Sequence, residues 1–365
     1  SERLRALEQL DHASLRARTR KVFGRELRPH EVVARIVADV RESGDKALFS
    51  YAKRIDGVTL NARTLKVTDA ERRAGYKRTP SRLRAALELA TERIAGYQKR
   101  LMPGDIRCAP SKNGPAGVKT GLNWSPLQRV GLYVPGGTAA LFSSVPMNAV
   151  PALVAGVKEV AIATPCDRNG KIHDGILCAC EILGLKEIYK LGGAQAIAAL
   201  AFGTQSVRAV EKIAGPGNLF VMLAKRSVFG QVDVDGLFGP SEVLVIADSS
   251  ANPAFIAADL LAQAEHDALA SCILLTDSKS LAEKVARELE RQLADLPRKE
   301  IAAAALRDWG MILVVGGLDE AVQIANRLAP EHLEVLTRKP QSLVRRLSTA
   351  GAIFVGQHAT EPLGD

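Results

Sequence analysis

The 365 residues carry a net charge of +9, with 47% hydrophobic but only 4% aromatic side chains. A chain of this length can form two packed domains, and its core must come from Ala, Val, Leu and Ile, as in parallel sheets covered by helices. No clean apolar span or signal peptide is visible, and the five cysteines (Cys108, Cys166, Cys178, Cys180, Cys272) form neither a CxxC pair nor a disulfide grid, so a soluble chain with reduced thiols in a cytosolic or plastid-like compartment is expected.

Residues 1–24 read as an arm, one short helical pattern followed by Arg16, Arg18, Arg20 and Lys21. No aromatic residue interleaves with that basic cluster, so nucleic acid is not the expected partner. The positive balance fits an anionic ligand such as a dinucleotide better. Helical spacing covers 31–54, broken at Gly44-Asp45, and again 80–102. From there short β-branched runs alternate with helices. Strands are expected at 130–134, 160–163, 187–191, 243–247, 272–275, 312–315, 334–336 and 353–355. Helices are expected at 139–157, 173–184, 194–203, 218–228, 252–267, 279–295 and 319–328. The βα rhythm predicts parallel sheets with right-handed crossovers. Two open sheets fit better than a barrel, because a long helical stretch comes first and the rhythm breaks at 204–240.

Three glycine-bearing strand-to-helix turns stand out: Tyr133 to Thr138 (YVPGGT), Gly192 to Gln195 (GGAQ) and Ala214 to Asn218 (AGPGN). Such turns let backbone approach a phosphate at a helix N-terminus, although none is GxGxxG and no acidic residue stands at the fingerprint distance. The polar clusters lie later. Gln263 and His266 are three apart on the expected helix 252–267, so they share a face, with Asp259 one turn earlier. Glu331 and His332 follow Pro330, which stops a helix and places both at a junction; the pair fits general-base work in two successive steps. Ser241 precedes a strand, and Gly364-Asp365 closes the sequence. Cys272, inside an apolar strand, reads as core rather than as a nucleophile.

The segments GLYVPGGTA (131–139), LGGAQAIAALAFGT (191–204), KIAGPGN (212–218), GPSEVLVIAD (239–248), LLAQAEHD (260–267) and APEHLEV (329–335) together resemble histidinol dehydrogenases. That resemblance implies an α/β fold of two incomplete Rossmann-like domains with parallel sheets behind an N-terminal helical arm. It implies oxidation of L-histidinol to L-histidine in two NAD-dependent steps by a zinc-containing homodimer. By motif, Gln263, His266 and Asp365 correspond to zinc ligands and to substrate contacts. Glu331 and His332 correspond to the catalytic pair, with His332 and Ser241 touching substrate. Tyr133, Gln195 and Asn218 correspond to NAD contacts. The domains expected on this basis are 1–24 as arm, 25–129 with 237–365 as the unit bearing zinc and catalytic residues, and 130–236 as the unit with the NAD turns.

Two departures accompany the resemblance. Family members continue past the Gly-Asp pair into a small C-terminal domain, which supplies a further zinc ligand and a substrate-binding Glu to the partner subunit's site, whereas this sequence stops at Asp365. Phe238 stands where the family has a small residue beside Gly239. These departures leave room for a zinc- and NAD-dependent dehydrogenase of another small polar alcohol; a third reading, a non-catalytic metabolite-binding derivative, is opposed by the intact Glu331 and His332.

Overall fold

A computed structural model describes residues 19–108, 118–136, 141–237 and 240–360. The expected arm lies mostly outside these, as do Phe238 and Asp365; residues 19–23 are helical. The fold is α/β, with two compact units at 1–238 and 239–365.

In the first unit, α1 (Pro29–Ser43) opens on a proline, which suits a first helical turn, and buries Val32, Val33, Ile36, Val37 and Val40 along one face. Next come α2 (Asp45–Tyr51), which runs into a π-helical turn (Ala52–Asp56), then α3 (Asp69–Arg78) and α4 (Ser81–Leu101). A short antiparallel pair, β1 (Ile106–Cys108) and β2 (Thr120–Leu122), precedes the sheet. The sheet consists of β3 (Arg129–Tyr133), β4 (Glu159–Thr164), β5 (Glu187–Lys190), β6 (Lys212–Ala214) and β7 (Asp233–Val234). Its crossovers are α5 (Ser144–Val154), α6 (Asp174–Ile182), α7 (Gly193–Phe202) and α8 (Leu219–Val228). All neighbours are parallel, in the order β5-β4-β3-β6-β7.

The sequence grouping of 25–129 with 237–365 is not the one the packing makes. The valine face of α1 covers the alanine-rich α7 and α8, and α3 lies on α6. Residues 65–67 also pair with the edge of β5, through Val67 N–H to Ile188 O and Lys190 N–H to Leu65 O, both 2.9 Å. The N-terminal helices therefore belong to the first sheet. The stretch 204–240, read as an interruption, holds β6 and β7, which at three and two residues are too short to show alternation.

The second unit repeats the plan. Its elements are β8 (Glu242–Ala247), α9 (Pro253–Ala264), β9 (Ser271–Thr276), α10 (Lys279–Leu293), α11 (Lys299–Trp309), β10 (Gly310–Val314), α12 (Leu318–Leu328), β11 (His332–Leu336), α13 (Gln341–Val344) and β12 (Ala352–Val355). The strands run parallel in the order β10-β9-β8-β11-β12. In both units the chain starts in the middle, winds outward one way, then returns to the other side of its first strand. The reversal lies between β3 and β6 in one unit and between β8 and β11 in the other. Val243, Val245, Ala247 and Leu336 face α9, and Leu244, Ile246, Leu333 and Val335 face α12 and α13.

At the first reversal point the turn after β6 leans on the end of β3. Gly215 has φ +115°, and a Cβ there would overlap the Tyr133 carbonyl oxygen. Asp235 Oδ2 accepts the Gly215 N–H at 2.7 Å, and the buried Lys225 ammonium donates to Asp235 Oδ1 at 2.6 Å and to the Gly215 carbonyl at 2.5 Å. Removing one partner from such a pair strands the other charge. Lys225→Met is therefore expected to destabilise the fold by about 3 kcal/mol, read as a lowered urea midpoint with unchanged slope.

Candidate active site

Ligands of doubly wound sheets sit outside the carboxyl ends of the strands, near the reversal. In the first unit three of those ends meet. Pro165, just past β4, is flanked by the turn after β3 and the turn before α7. A Cβ at Gly192 would stand 2.8 Å from Pro165 Cβ, and one at Gly136 would stand 2.9 Å from Thr164 Oγ1, so both close approaches need glycine. Thr164 is fully buried, and its hydroxyl has no hydrogen-bond partner among the described residues. Tyr133, the last residue of β3, accepts the Gly193 N–H on its hydroxyl at 3.1 Å. Gln195, 1% exposed, donates from Nε2 to Asp56 Oδ2 at 2.9 Å. Burial pushes the Asp56 carboxyl up to about 6, against the opposing pull of the Gln195 hydrogen bond. Asn218 caps α8, its Oδ1 accepting the N–H groups of Phe220 at 3.1 Å and Val221 at 3.2 Å.

At the opposite edge of this sheet the strand starts are tied by ion pairs. Arg129, buried at the start of β3, pairs with Glu159 at 2.9 Å and with Glu187 at 2.5 Å, tying the amino ends of three strands.

In the second unit the polar residues sit at the amino edge instead. Ser241 directly precedes β8, and its carbonyl accepts the Ser271 N–H at the start of β9 (3.0 Å). Glu331 directly precedes β11, and its carboxylate accepts the Glu242 N–H at 3.2 Å. His332 opens β11, half-buried, with its ring edge-on to Phe354 at 5.9 Å between centroids. Ser241, Glu331 and His332 are thus brought together at the first turns of two neighbouring strands. Their position is the reverse of the carboxyl-edge placement found in the first unit. At the carboxyl edge of this sheet, Asp248 accepts the Ser250 N–H and the Arg338 N–H, each at 2.9 Å, and bridges the ends of β8 and β11.

Gln263 lies in the last turn of α9, 1% exposed, and neither atom of its carboxamide has a hydrogen-bond partner among the described residues. An amide left so in a core costs about 1–3 kcal/mol unless something fills its bonds. His266 is exposed and lies beyond the helix, which ends at Ala264 rather than at 267. Asp267 causes the stop: its carboxylate takes the Leu269 N–H at 2.9 Å and its carbonyl takes the Ala270 N–H at 2.9 Å, a turn that competes with helix. The shared-face argument therefore fails in detail, although His266 N–H still bonds to the Gln263 carbonyl (3.2 Å). Asp365, the third expected ligand, lies outside the described residues. Among those residues no group of three His, Cys, Asp or Glu is placed to hold a metal. The orphaned Gln263 amide nevertheless fits a ligand role.

The profile of the histidinol dehydrogenase family matches residues 22–365. The chain belongs to that family. Curated histidinol dehydrogenases include one from Halalkalibacterium halodurans, 51% identical over 90% of this chain and 76% of the relative. Another, from Moorella thermoacetica, is 50% identical over 95% of this chain and 81% of the relative. A crystal structure of histidinol dehydrogenase from Elizabethkingia anophelis superimposes with a TM-score of 0.86 at 36% identity, covering 92% of this chain and 76% of that one. No helix among the described residues is long and apolar enough to cross a membrane.

Against this family background, three groups escaped sequence reasoning. Asp56 ends a π turn, and only its Asp-Gly sequence hinted at a helix stop. Lys225 and Asp235 flank an element too short to recognise. Glu334 is fully buried on β11 and hydrogen-bonds Asp259, which also accepts the Thr360 hydroxyl at 2.7 Å; burial raises the Asp259 carboxyl. In the sequence, the buried Glu334 reads as an ordinary strand residue.

Two stability tests follow. Gln263→Met replaces an unsatisfied amide with an apolar chain of similar length, so the ligand-free protein is expected to gain about 1 kcal/mol by urea denaturation. Asp56, with its carboxyl raised from 3.8 to about 6, favours the protonated folded state. Its contribution is fully present below pH about 4 and is lost as pH rises through about 6. Asp56→Asn cannot lose a proton, so its stability relative to the parent is expected to rise by about 2 kcal/mol between pH 4 and pH 7.5. Paired urea curves at the two pH values measure this, and a constant difference would refute it.

Proposed function

We propose that this chain oxidises L-histidinol to L-histidine in two NAD-dependent steps through the aldehyde, serving histidine biosynthesis. The observation that carries the reading is the seating of Glu331 against the Glu242 amide. It sets a carboxylate and the His332 imidazole side by side, next to Ser241, in a chain whose relatives are histidinol dehydrogenases.

In the first step His332 accepts the alcohol proton as hydride leaves the carbinol carbon for NAD, giving the aldehyde. Glu331 then takes a proton from water as its oxygen adds to the aldehyde carbon. The hydrate so formed loses its second hydride to a second NAD and its proton to His332, leaving the carboxylate. Imidazole suits the repeated task because it takes and returns protons near neutral pH. Ser241 contacts the substrate. Tyr133, Gln195 and Asn218 hold the dinucleotide at the carboxyl edge of the first sheet, where the helix N-termini of α7 and α8 favour its phosphates.

Gln263 and His266, with Asp365, would hold zinc. Bound there, zinc supplies a Lewis acid that anchors the nitrogen-rich substrate. The buried and otherwise unpaired Gln263 amide supports this ligand set. A homodimer, in which the partner copy's C-terminal tail completes the site, accords with the family resemblance.

His332→Asn is expected to slow NADH formation from both L-histidinol and L-histidinaldehyde by about 10³-fold. Glu331→Gln is expected to slow the aldehyde step at least tenfold more than the alcohol step. Stopped-flow absorbance at 340 nm with each substrate separates the two. Equal effects of Glu331→Gln on both steps would remove it as the water-activating base, and turnover of a different alcohol with none of histidinol would sink the substrate assignment.

A further inference from the structure

In doubly wound nucleotide-binding sheets, an acidic residue at the end of the second strand accepts hydrogen bonds from the adenosine ribose hydroxyls. The second strand of the first parallel sheet is β4, which ends at Thr164 and is followed by Pro165 and Cys166, none of them acidic. A carboxylate nevertheless stands at that point, supplied from another part of the chain. Asp56 closes the π turn after α2 and reaches the carboxyl edge from the N-terminal helices. It accepts Gln195 Nε2 at 2.9 Å, and Gln195 lies in the first turn after β5. It is near enough to Cys166 and to Tyr133 for its charge to raise both groups, burial being the larger cause at each. Asp56 thus faces residues at the ends of β3, β4 and β5.

Three further facts favour a ligand-facing role over a packing role. Asp56 is only half-buried, so one side remains accessible. The hydrogen bond from Gln195 engages Oδ2 and leaves acceptor capacity on the carboxylate. The Thr164 hydroxyl, fully buried at the end of the same strand, has no partner among the described residues. With its carboxyl pushed up to about 6, Asp56 is still an anion at the pH where a dehydrogenase works.

We propose that Asp56 is the ribose-binding carboxylate of the dinucleotide site, accepting the adenosine 2′- and 3′-hydroxyls, and that it sets the preference for the cofactor without a 2′-phosphate. The assignment rests on the NAD reading of this edge given above. A 2′-phosphate placed against Asp56 would meet like charge, a juxtaposition that costs several kcal/mol. Arg168 lies alongside: its Cγ and Nε stand 3.8 Å from where a Cβ on Gly57 would be. With the carboxylate removed, this guanidinium is the group best placed to take a 2′-phosphate.

The test is steady-state kinetics of the whole chain with L-histidinol, using NAD and NADP separately, for the parent, Asp56→Asn and Asp56→Ala. Asp56→Asn keeps the shape and an acceptor for Gln195, and guards against a folding failure of the alanine variant. The expected result is a rise in KM for NAD, little change in kcat, and a shift of the kcat/KM ratio towards NADP of roughly a hundredfold. Adding Arg168→Ala to Asp56→Asn should take back the gain with NADP while leaving NAD use unchanged. Equal losses with both cofactors would show that Asp56 only orients Gln195, and would overturn the proposal. Calorimetric titration of the parent with NAD tests the underlying reading separately. No NAD binding there would remove the cofactor site itself, whereas binding with an unchanged ratio in the variants would remove only the role given to Asp56.

Discussion

A parallel sheet has two edges where strand ends and loops can build a site, and in this protein charged side chains tie strand ends together at opposite edges of the two sheets. In the first unit Arg129, gripped by Glu159 and Glu187, ties together the amino ends of β3, β4 and β5. In the second, Asp248 takes the Arg338 amide and bridges the carboxyl ends of β8 and β11. The candidate site residues lie at the other edge in each unit. The first offers its carboxyl edge, with helix N-termini and glycine turns suited to phosphate. The second offers its amino edge, with Ser241, Glu331 and His332. Two sheets of the same winding thus present their candidate residues at opposite edges.

Division of labour follows from the same arrangement. Backbone N–H groups and helix dipoles hold an anion without a proton-transfer group, and the first unit is rich in them. Proton transfer needs side chains held at fixed angles, and residues that open strands are held well. Glu331 has its carboxylate on the Glu242 amide while its own carbonyl accepts the Ala352 N–H at 2.9 Å. Glu331, the proposed water-activating base, is therefore held from both strands that flank β11.

Much of this was legible in the letters. The eight expected strands match β3, β4, β5, β8, β9, β10, β11 and β12 to within a few residues, because buried parallel strands are β-branched runs bounded by turns. What could not be read has physical causes. β6 and β7 are too short to show a period. α3 is so polar that only its cap, Thr68 paired with Glu71, marks it. The grouping of the N-terminal helices was misjudged because α1 shows an apolar face without saying which sheet will cover it. The helix stop at Ala264 depended on Asp267 capturing an amide two residues on, a local contest that periodicity does not register. Asp56 was invisible for a different reason: only the fold brings it beside Gln195, 139 residues away.

The buried Gln263 amide, which no described residue satisfies, bears on stability as well as on the proposed zinc site. A buried group that finds its bonds only when something else arrives makes the free protein the weaker form and the occupied protein the stronger one. Proteases in a cell act on chains that open, and occupied chains open less often. The lifetime of this protein would then track the supply of whatever settles on that residue, so scarcity would thin out the idle copies before any regulator intervened.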